Sequence, residues 1–368
     1  MPHLLVDISA HGFGHVSQAA PVVNELARRI PGLRITLRTT IPHFLLQKNF
    51  SCDFRHIPLA FDFGMKMANA VDVQVEESAD AYRAFHADWA EKVEREAHAM
   101  RALEPDLLLA NVPYLSLAAA RVAGVRSVGM CCLNWADIYR HYCVEDAASR
   151  KIHAQMLEAY NSAGCFLKLQ PSMPMPDLSN ARNIGPVARV GCNRRTSISG
   201  KLRLGKTEKL VLVAMGGMEY RLPVECWPHL PGVRWIIPQA WQARRDDTVA
   251  LESLDLPFSD VLASCDTVLT KPGYGTFAEA ACVGVPVLYV SRRNWPEETH
   301  LVQWLAEHGV CMEVQRDVLH AGDLGCALDQ LWAIPKPAAP VPSGINEAAD
   351  YIAALLRTSG FFPSVHPG

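Results

Sequence analysis

The chain has 368 residues, 49% of them apolar, which suits about two ordinary domain cores. Its formal net charge of −3, with 35 Lys and Arg scattered along the sequence, excludes a duplex-wrapping nucleic-acid binder, which needs a basic patch. Eleven cysteines stand singly apart from the vicinal pair Cys131-Cys132, and no C-x-x-C or His/Cys ligand spacing occurs, so neither a zinc site nor any other bound metal is expected.

In chain order, "HLLVDIS" reads as a short buried strand that ends in the glycine loop "SAHGFGHVSQ". Val16, Ala19, Ala20, Val23, Leu26, Ala27 and Ile30 then share one helical face, with Pro21 near the helix start, where a missing N–H costs least. "RITLRTT" is a second strand. Phe61 to Ser78 has weak periodicity and reads as a mobile loop. Tyr82, Phe85, Trp89, Val93 and Met100 predict one long amphipathic helix with a charged back. "PDLLLAN", a helix from Ser116 to Ala123 and "RSVGMCCL" continue the alternation, which predicts a mostly parallel sheet with helices on both faces.

Pro171 to Arg203 is rich in Pro, Ser, Gly and basic residues and reads as a domain connection. "EKLVLVAMGGM" then repeats the plan of the chain's opening, and further strand–helix units follow to "HLVQWLAEHG". The expectation is an α/β protein of two doubly wound Rossmann-like domains, 1–190 and 204–335, with the ligand at the carboxyl ends of the strands. A last helix, 343–358, would pack back on the first domain. No charged segment with an apolar run precedes the first strand, and no apolar run is long enough to span a membrane. A reduced, cytoplasmic protein is expected.

Four stretches carry chemistry. Gly12-Phe13-Gly14 before a helix is compatible with a dinucleotide fingerprint, but Ser17 takes the third glycine position and the second strand ends in Thr39-Thr40 where an acid is needed. A plain turn would also explain the glycines, though not the histidines. His15 opens the helix, and a neutral imidazole there could take a hydroxyl proton. The positive helix end would help keep it uncharged, by about 0.3–1 kcal/mol. In "TKPGYGTFAEA", Gly273 and Gly275 make a turn before a helix whose N–H groups form an anion site. Thr276 and Glu279 fit a capping box, or else Gly275 and Thr276 hold a diphosphate and Glu279 a ribose. In "RRNWPEETH", Glu297 and Glu298 could accept from sugar hydroxyls or be helix-start acids, and Arg292 could meet a phosphate. "AMGG", ending at Gly217, is a further glycine turn against which a diphosphate would fit.

Together these stretches resemble the GT-B superfamily of nucleotide-sugar glycosyltransferases: the plant-type UDP-glycosyltransferases, the bacterial enzyme that adds GlcNAc to the lipid-linked peptidoglycan precursor, and the glycosyltransferase-like half of plant arabinokinases. The likeness rests on "HGFGH", "PDLLLANVPY…AARVAGVRSV…NWADIY" and "KPGYGTFAEA…RRNWPEE", and runs to about residue 320. The resemblance implies two Rossmann-like domains facing across a cleft, with Gly12, Phe13 and Gly14 on the acceptor side. It implies His15 as the base that deprotonates the acceptor. Plant-type enzymes orient that histidine with an Asp; here Asn111 stands at its place, and Asp137 is a candidate substitute. The donor contacts carry over to Gly217, Gly275, Thr276 and Glu279. Glu297, Glu298 and His300 fall near the family's sugar contact, one or two residues further along.

The expected reaction moves a sugar from a nucleotide diphosphate sugar, UDP-linked by the resemblance, to an unidentified acceptor hydroxyl, with no cofactor and no obligatory metal. A lipid-linked acceptor would suit exposed aromatics such as Phe44 or Phe63 and would bring peripheral membrane contact. The neutral Asn111 leaves open a sugar-nucleotide-binding protein without activity. A sugar-nucleotide epimerase on the same fold would need several carboxylates around the sugar, and the first domain offers no such set.

Overall fold

The computed structural model describes residues 1–69, 72–216, 220–292 and 294–358. It divides into two compact units. The first comprises Met1–Lys66, Gln74–Val187 and the chain from Ser343 on; the second comprises Met67–Val73 and Ala188–Pro342.

The first unit is built on seven strands: β1 (His3–Ile8), β2 (Arg34–Arg38), β3 (Arg55–Ile57), β4 (Leu107–Asn111), β5 (Ser127–Cys131), β6 (Cys165–Leu169) and β7 (Ala181–Ile184). All pair in parallel, in the order β3-β2-β1-β4-β5-β6-β7. The strands read as continuous apolar runs because helices cover both faces of the sheet. Leu4, Leu5 and Val6 of β1 and Leu107, Leu108 and Leu109 of β4 are wholly buried. One buried ion pair sits among them. Asp7 and Arg38 are register partners on β1 and β2, and the guanidinium donates to both Asp7 oxygens at 2.7 and 2.6 Å and to Glu96 at 2.5 Å. The second acid uses the guanidinium's remaining face, so the cation is fully paired.

The run predicted as one long helix is two, Val75–His86 and Trp89–Leu103. The carbonyls left at the first helix's end are taken by a side chain from the second: Lys92 Nζ donates to Ala84 at 3.3 Å and Phe85 at 2.6 Å. The 61–78 stretch is correspondingly shorter as a loop, because its last turn already belongs to the Val75 helix. Phe61 is buried against the Arg38 guanidinium, 4.1 Å from ring centre to Cζ.

The second unit carries β8 (Lys209–Ala214), β9 (Val233–Ile237), β10 (Thr248–Ala250), β11 (Thr267–Thr270), β12 (Val287–Tyr289) and β13 (Cys311–Glu313). These are parallel too, in the order β10-β9-β8-β11-β12-β13. A core of Val211, Val213, Trp235, Leu269, Leu288 and Leu331 lies against one face. Gly322 is required there: its φ is +74°, and a Cβ would fall 2.2 Å from the Trp227 ring.

In each unit the strand order reverses beside its first strand, between β1 and β4 and between β8 and β11. Chain leaves these neighbouring carboxyl ends toward opposite faces, which opens a crevice there.

Candidate functional site

The reversal point of the first unit brings together the loops after β1, β4 and β5. Ser9 N–H donates to the Asn111 carbonyl at 2.8 Å, which ties the first two loops. The helix Phe13–Arg29 starts immediately after, with His15 in its first turn. His15 is 6% exposed, and its Nδ1 lies 2.8 Å from Asn111 Oδ1. The asparagine at the expected acid's place therefore does hold the imidazole. Asn111 Nδ2 donates to Gln18 Oε1 at 3.1 Å, and Gln18 Nε2 to Cys132 Sγ at 3.1 Å. Cys131 Sγ lies 3.8 Å from His15 Nδ1.

Asp137 stands elsewhere, in the first turn of the helix Trp135–Cys143 that follows β5. Its N–H is capped by Asn134 at 2.8 Å, and its carboxylate accepts from Asn134 Nδ2 at 3.0 Å and faces Arg140 at 3.2 Å. The acid that bears on His15 is Asp62, from the loop the periodicity left unassigned. Asp62 is buried and accepts from Trp135 Nε1 at 2.8 Å. Burial pushes its carboxyl up to about 6, against the pull of His15. Burial also works against a charged His15, as the positive helix end was expected to do. The sulfur of Cys131 and the charge of Asp62 outweigh it, and His15 is raised to about 9. Cys131 moves the opposite way, down to about 6: burial opposes ionisation, but hydrogen bonds from Cys132 and His15 favour the thiolate.

Gly12 and Gly14 are not needed by the fold. Gly12 has extended backbone (φ 174°), and a Cβ on either would meet nothing within 4 Å. Phe13 between them is 43% exposed. The bare backbone leaves room for a molecule to approach the N-terminal turn that carries His15.

The reversal point of the second unit collects the loops after β8 and β11. Thr270 Oγ1 donates to the Ala214 carbonyl at 2.6 Å and joins them. Gly217 lies outside the described residues. Its neighbour Gly216 has φ +88°, and a Cβ there would meet Lys271 Cε at 3.1 Å. Lys271 follows β11, and its ammonium has no hydrogen bond or ion pair to a described residue. Burial and then Arg292 lower its pKa to about 7, against Glu297 and Glu298. Two residues on, the helix Tyr274–Val283 begins with Gly273 at its N-cap, no side-chain cap and no acid in its first turn. Its N-terminal N–H groups and the Lys271 ammonium suit an oxyanion.

Thr276 is the third residue of that helix and Glu279 the sixth, so they form no capping box. Gly275 and Thr276 stand in the first turn, both half-buried. Glu279 is 5% exposed and lies 3.6 Å from Arg189 Nε; burial raises its carboxyl and Arg189 opposes this. Arg292 is buried: its guanidinium donates to the Pro272 carbonyl, covers the Trp295 ring at 5.0 Å and lies 3.8 Å from Glu297. It braces the turn before the Tyr274 helix. Glu298 braces the same loop, accepting from Ser291 Oγ at 2.5 Å and Arg292 N–H at 2.8 Å. Glu297 accepts from Trp295 Nε1 at 2.9 Å. His300, half-buried, follows Glu297 by one turn in the helix Pro296–His308.

Asp62 and Lys271 are the site groups the sequence reading passed over. The signal for Lys271 was present: a basic residue at the carboxyl end of a strand, directly before a glycine turn. Asp62 had none, since a loop acid has no period to place it.

No protein-family model matches the chain. A curated relative, the L-arabinokinase of Arabidopsis thaliana, is 25% identical over 327 residues. The match takes in 85% of this chain and 30% of the relative, so the chain spans under a third of that protein's length. Among solved structures, the calicheamicin glycosyltransferase CalG4 superposes with a TM-score of 0.61 at 18% identity, over 98% of this chain and 95% of that one. UGT89C1 of Arabidopsis thaliana complexed with UDP gives 0.60 at 16%, over 97% and 100%. The glycosyltransferase VinC in complex with dTDP gives 0.55 at 16%, over 96% and 95%. The fold is that of the GT-B glycosyltransferases, two parallel-sheet α/β domains.

Proposed function

We propose that this chain transfers a sugar from a nucleotide diphosphate sugar to an acceptor hydroxyl. The observation that carries the reading is the pairing of two reversal-point sites in one chain: a held histidine beside open glycine backbone, and a lysine with no ion pair among the described residues beside a helix start without a side-chain cap. The first suits deprotonation of a hydroxyl, the second a diphosphate.

In this reading His15 Nε2 takes the acceptor proton as the acceptor oxygen bonds to the anomeric carbon. The bond from that carbon to the diphosphate oxygen breaks, and the diphosphate leaves with the electron pair. Lys271 and the Tyr274 helix N–H groups take up the developing charge, so the chemistry requires no metal. Glu279 accepts from the ribose hydroxyls, and Glu297 with His300 faces the sugar. The neighbours' ligands, UDP, UDP-L-rhamnose and dTDP, support a uridine or thymidine diphosphate sugar, with UDP favoured. The acceptor is an open hydroxyl compound that meets the Gly12–Gly14 turn.

Calorimetric titration with UDP and UDP-sugars tests the donor half. Saturable UDP binding that weakens about tenfold or more in Glu279→Ala is expected, since a charged acceptor on a hydroxyl contributes about 1.5–3 kcal/mol. Absence of binding to every nucleotide, or identical affinity in the variant, would sink it.

A further inference from the structure

His15, Asn111, Gln18, Cys132 and Cys131 form a ring of side chains in which the donors run from His15 through Asn111, Gln18 and Cys132, and the Cys131 sulfur closes the ring as an acceptor. His15 Nδ1 meets Asn111 Oδ1 at 2.8 Å, Asn111 Nδ2 meets Gln18 Oε1 at 3.1 Å, and Gln18 Nε2 meets Cys132 Sγ at 3.1 Å. Cys132 in turn donates to Cys131, whose sulfur returns to within 3.8 Å of His15 Nδ1. All five residues are buried.

An amide has one accepting end and one donating end, so the ring has a polarity. A reversed Asn111 would set its oxygen against the Gln18 oxygen. Relief would need Gln18 to reverse too, turning its oxygen toward a sulfur whose hydrogen is already committed to Cys131. Each reversal leaves buried groups unpaired. A carboxylate at position 111 would need no such partner, because both its oxygens accept.

We propose that Gln18 is a positioning residue: anchored on Cys132, it keeps the Asn111 oxygen toward His15, so that the imidazole holds its resident proton on Nδ1 and exchanges protons through Nε2. The proposal rests on the reading of His15 as the base. Orientation here replaces the charge that an aspartate would bring. A neutral amide fixes the tautomer in both protonation states of the ring, since Nδ1–H donates in each.

The test is long-range proton–nitrogen correlation NMR of protein labelled with nitrogen-15 at histidine, above the His15 titration, with His15 identified by its loss in His15→Ala. Wild type should show Nδ1 protonated and Nε2 bare. Gln18→Leu removes the acceptor for Asn111 and should populate the other tautomer, with transfer slowed at least about tenfold and donor KM unchanged; a general base contributes about 10²–10⁴. Gln18→Glu keeps an oxygen toward Asn111 Nδ2 and should restore the wild-type spectrum and most of the rate. A wild-type His15 protonated on Nε2 overturns the proposal whether or not any variant folds. So does a Gln18→Leu spectrum and rate equal to wild type. Should wild type transfer no sugar, the base reading falls, and the tautomer spectra decide the relay by themselves.

Discussion

His15 is pulled between burial, which disfavours its charge, and the sulfur and carboxyl groups of Cys131 and Asp62, which favour it. The second pair wins, so the imidazole keeps its proton to about pH 9, and a base role is fulfilled only as that proton leaves Nε2. The rate of transfer should therefore climb with pH and level off near 9. In Cys131→Ala the strongest favouring partner is gone and burial dominates, so the rise should move down toward or below the ordinary histidine value of about 6.5. A pH–rate series on the two proteins checks this; an unshifted limb would assign the titration to another group. The raised value also sets a sign for stability. The interaction of protonated His15 is fully present below about pH 6.5 and is lost as pH rises through about 9. Little of this was legible beforehand. The positions of His15 and Asn111 could be read from the strands before them. The groups that decide the charge could not: Asp62 sits in an aperiodic loop, and a buried cysteine in a strand looks like any small apolar residue.

The Tyr274 helix shows how much a terminus does when no side chain caps it. No side chain of a described residue caps its first turn, and Lys271 supplies a charge with no ion-pair partner among the described residues. Lys271→Met should weaken UDP binding about tenfold to a hundredfold, and should flatten the dependence of affinity on salt. In the wild type, affinity should fall as pH rises through about 7, because the ammonium is then lost from the free protein; the variant should lack that fall. Titration calorimetry across pH and salt reads both, and a variant binding like wild type would remove Lys271 from the donor site. The glycines of this turn and the start of the helix were legible as strand-then-glycine pattern. The capping box suggested by Thr276 and Glu279 was not formed, because the helix begins at Tyr274, two residues before Thr276, and a local motif cannot fix its own register. The same weakness joined two helices into one upstream. Trp89 keeps the spacing set by Tyr82 and Phe85, and the break is visible only through Lys92 meeting the Ala84 and Phe85 carbonyls.

At the scale of the chain, the alternation of apolar runs and helical faces was enough for two parallel sheets, since strands buried on both faces announce themselves. The place of the last helix, Gly344–Thr358, is set by long-range contacts instead. Asn346 and Asp350 accept from Arg29 at 2.6 and 2.5 Å, at the end of the helix that begins with Phe13. Gly344 N–H donates to the Pro186 carbonyl, and a Cβ on Gly344 would fall 2.1 Å from the Gly185 oxygen. Ala348, Ala349, Ile352, Ala353 and Leu356 are buried. The chain thus returns to its first unit after completing its second, and the two units have separate cores. Ile352→Ala opens a cavity in the first core alone and should cost it about 2–5 kcal/mol. Saturating UDP stabilises only what binds it, by about 2.7 kcal/mol at a hundred times Kd. Thermal unfolding should then resolve into two steps in the variant, an early one that UDP leaves in place and a later one that UDP raises. UDP affinity in the folded variant should equal wild type. A single transition that moves as one with UDP would mean that the two cores unfold together, and that the last helix stabilises the second unit as much as the one it packs on.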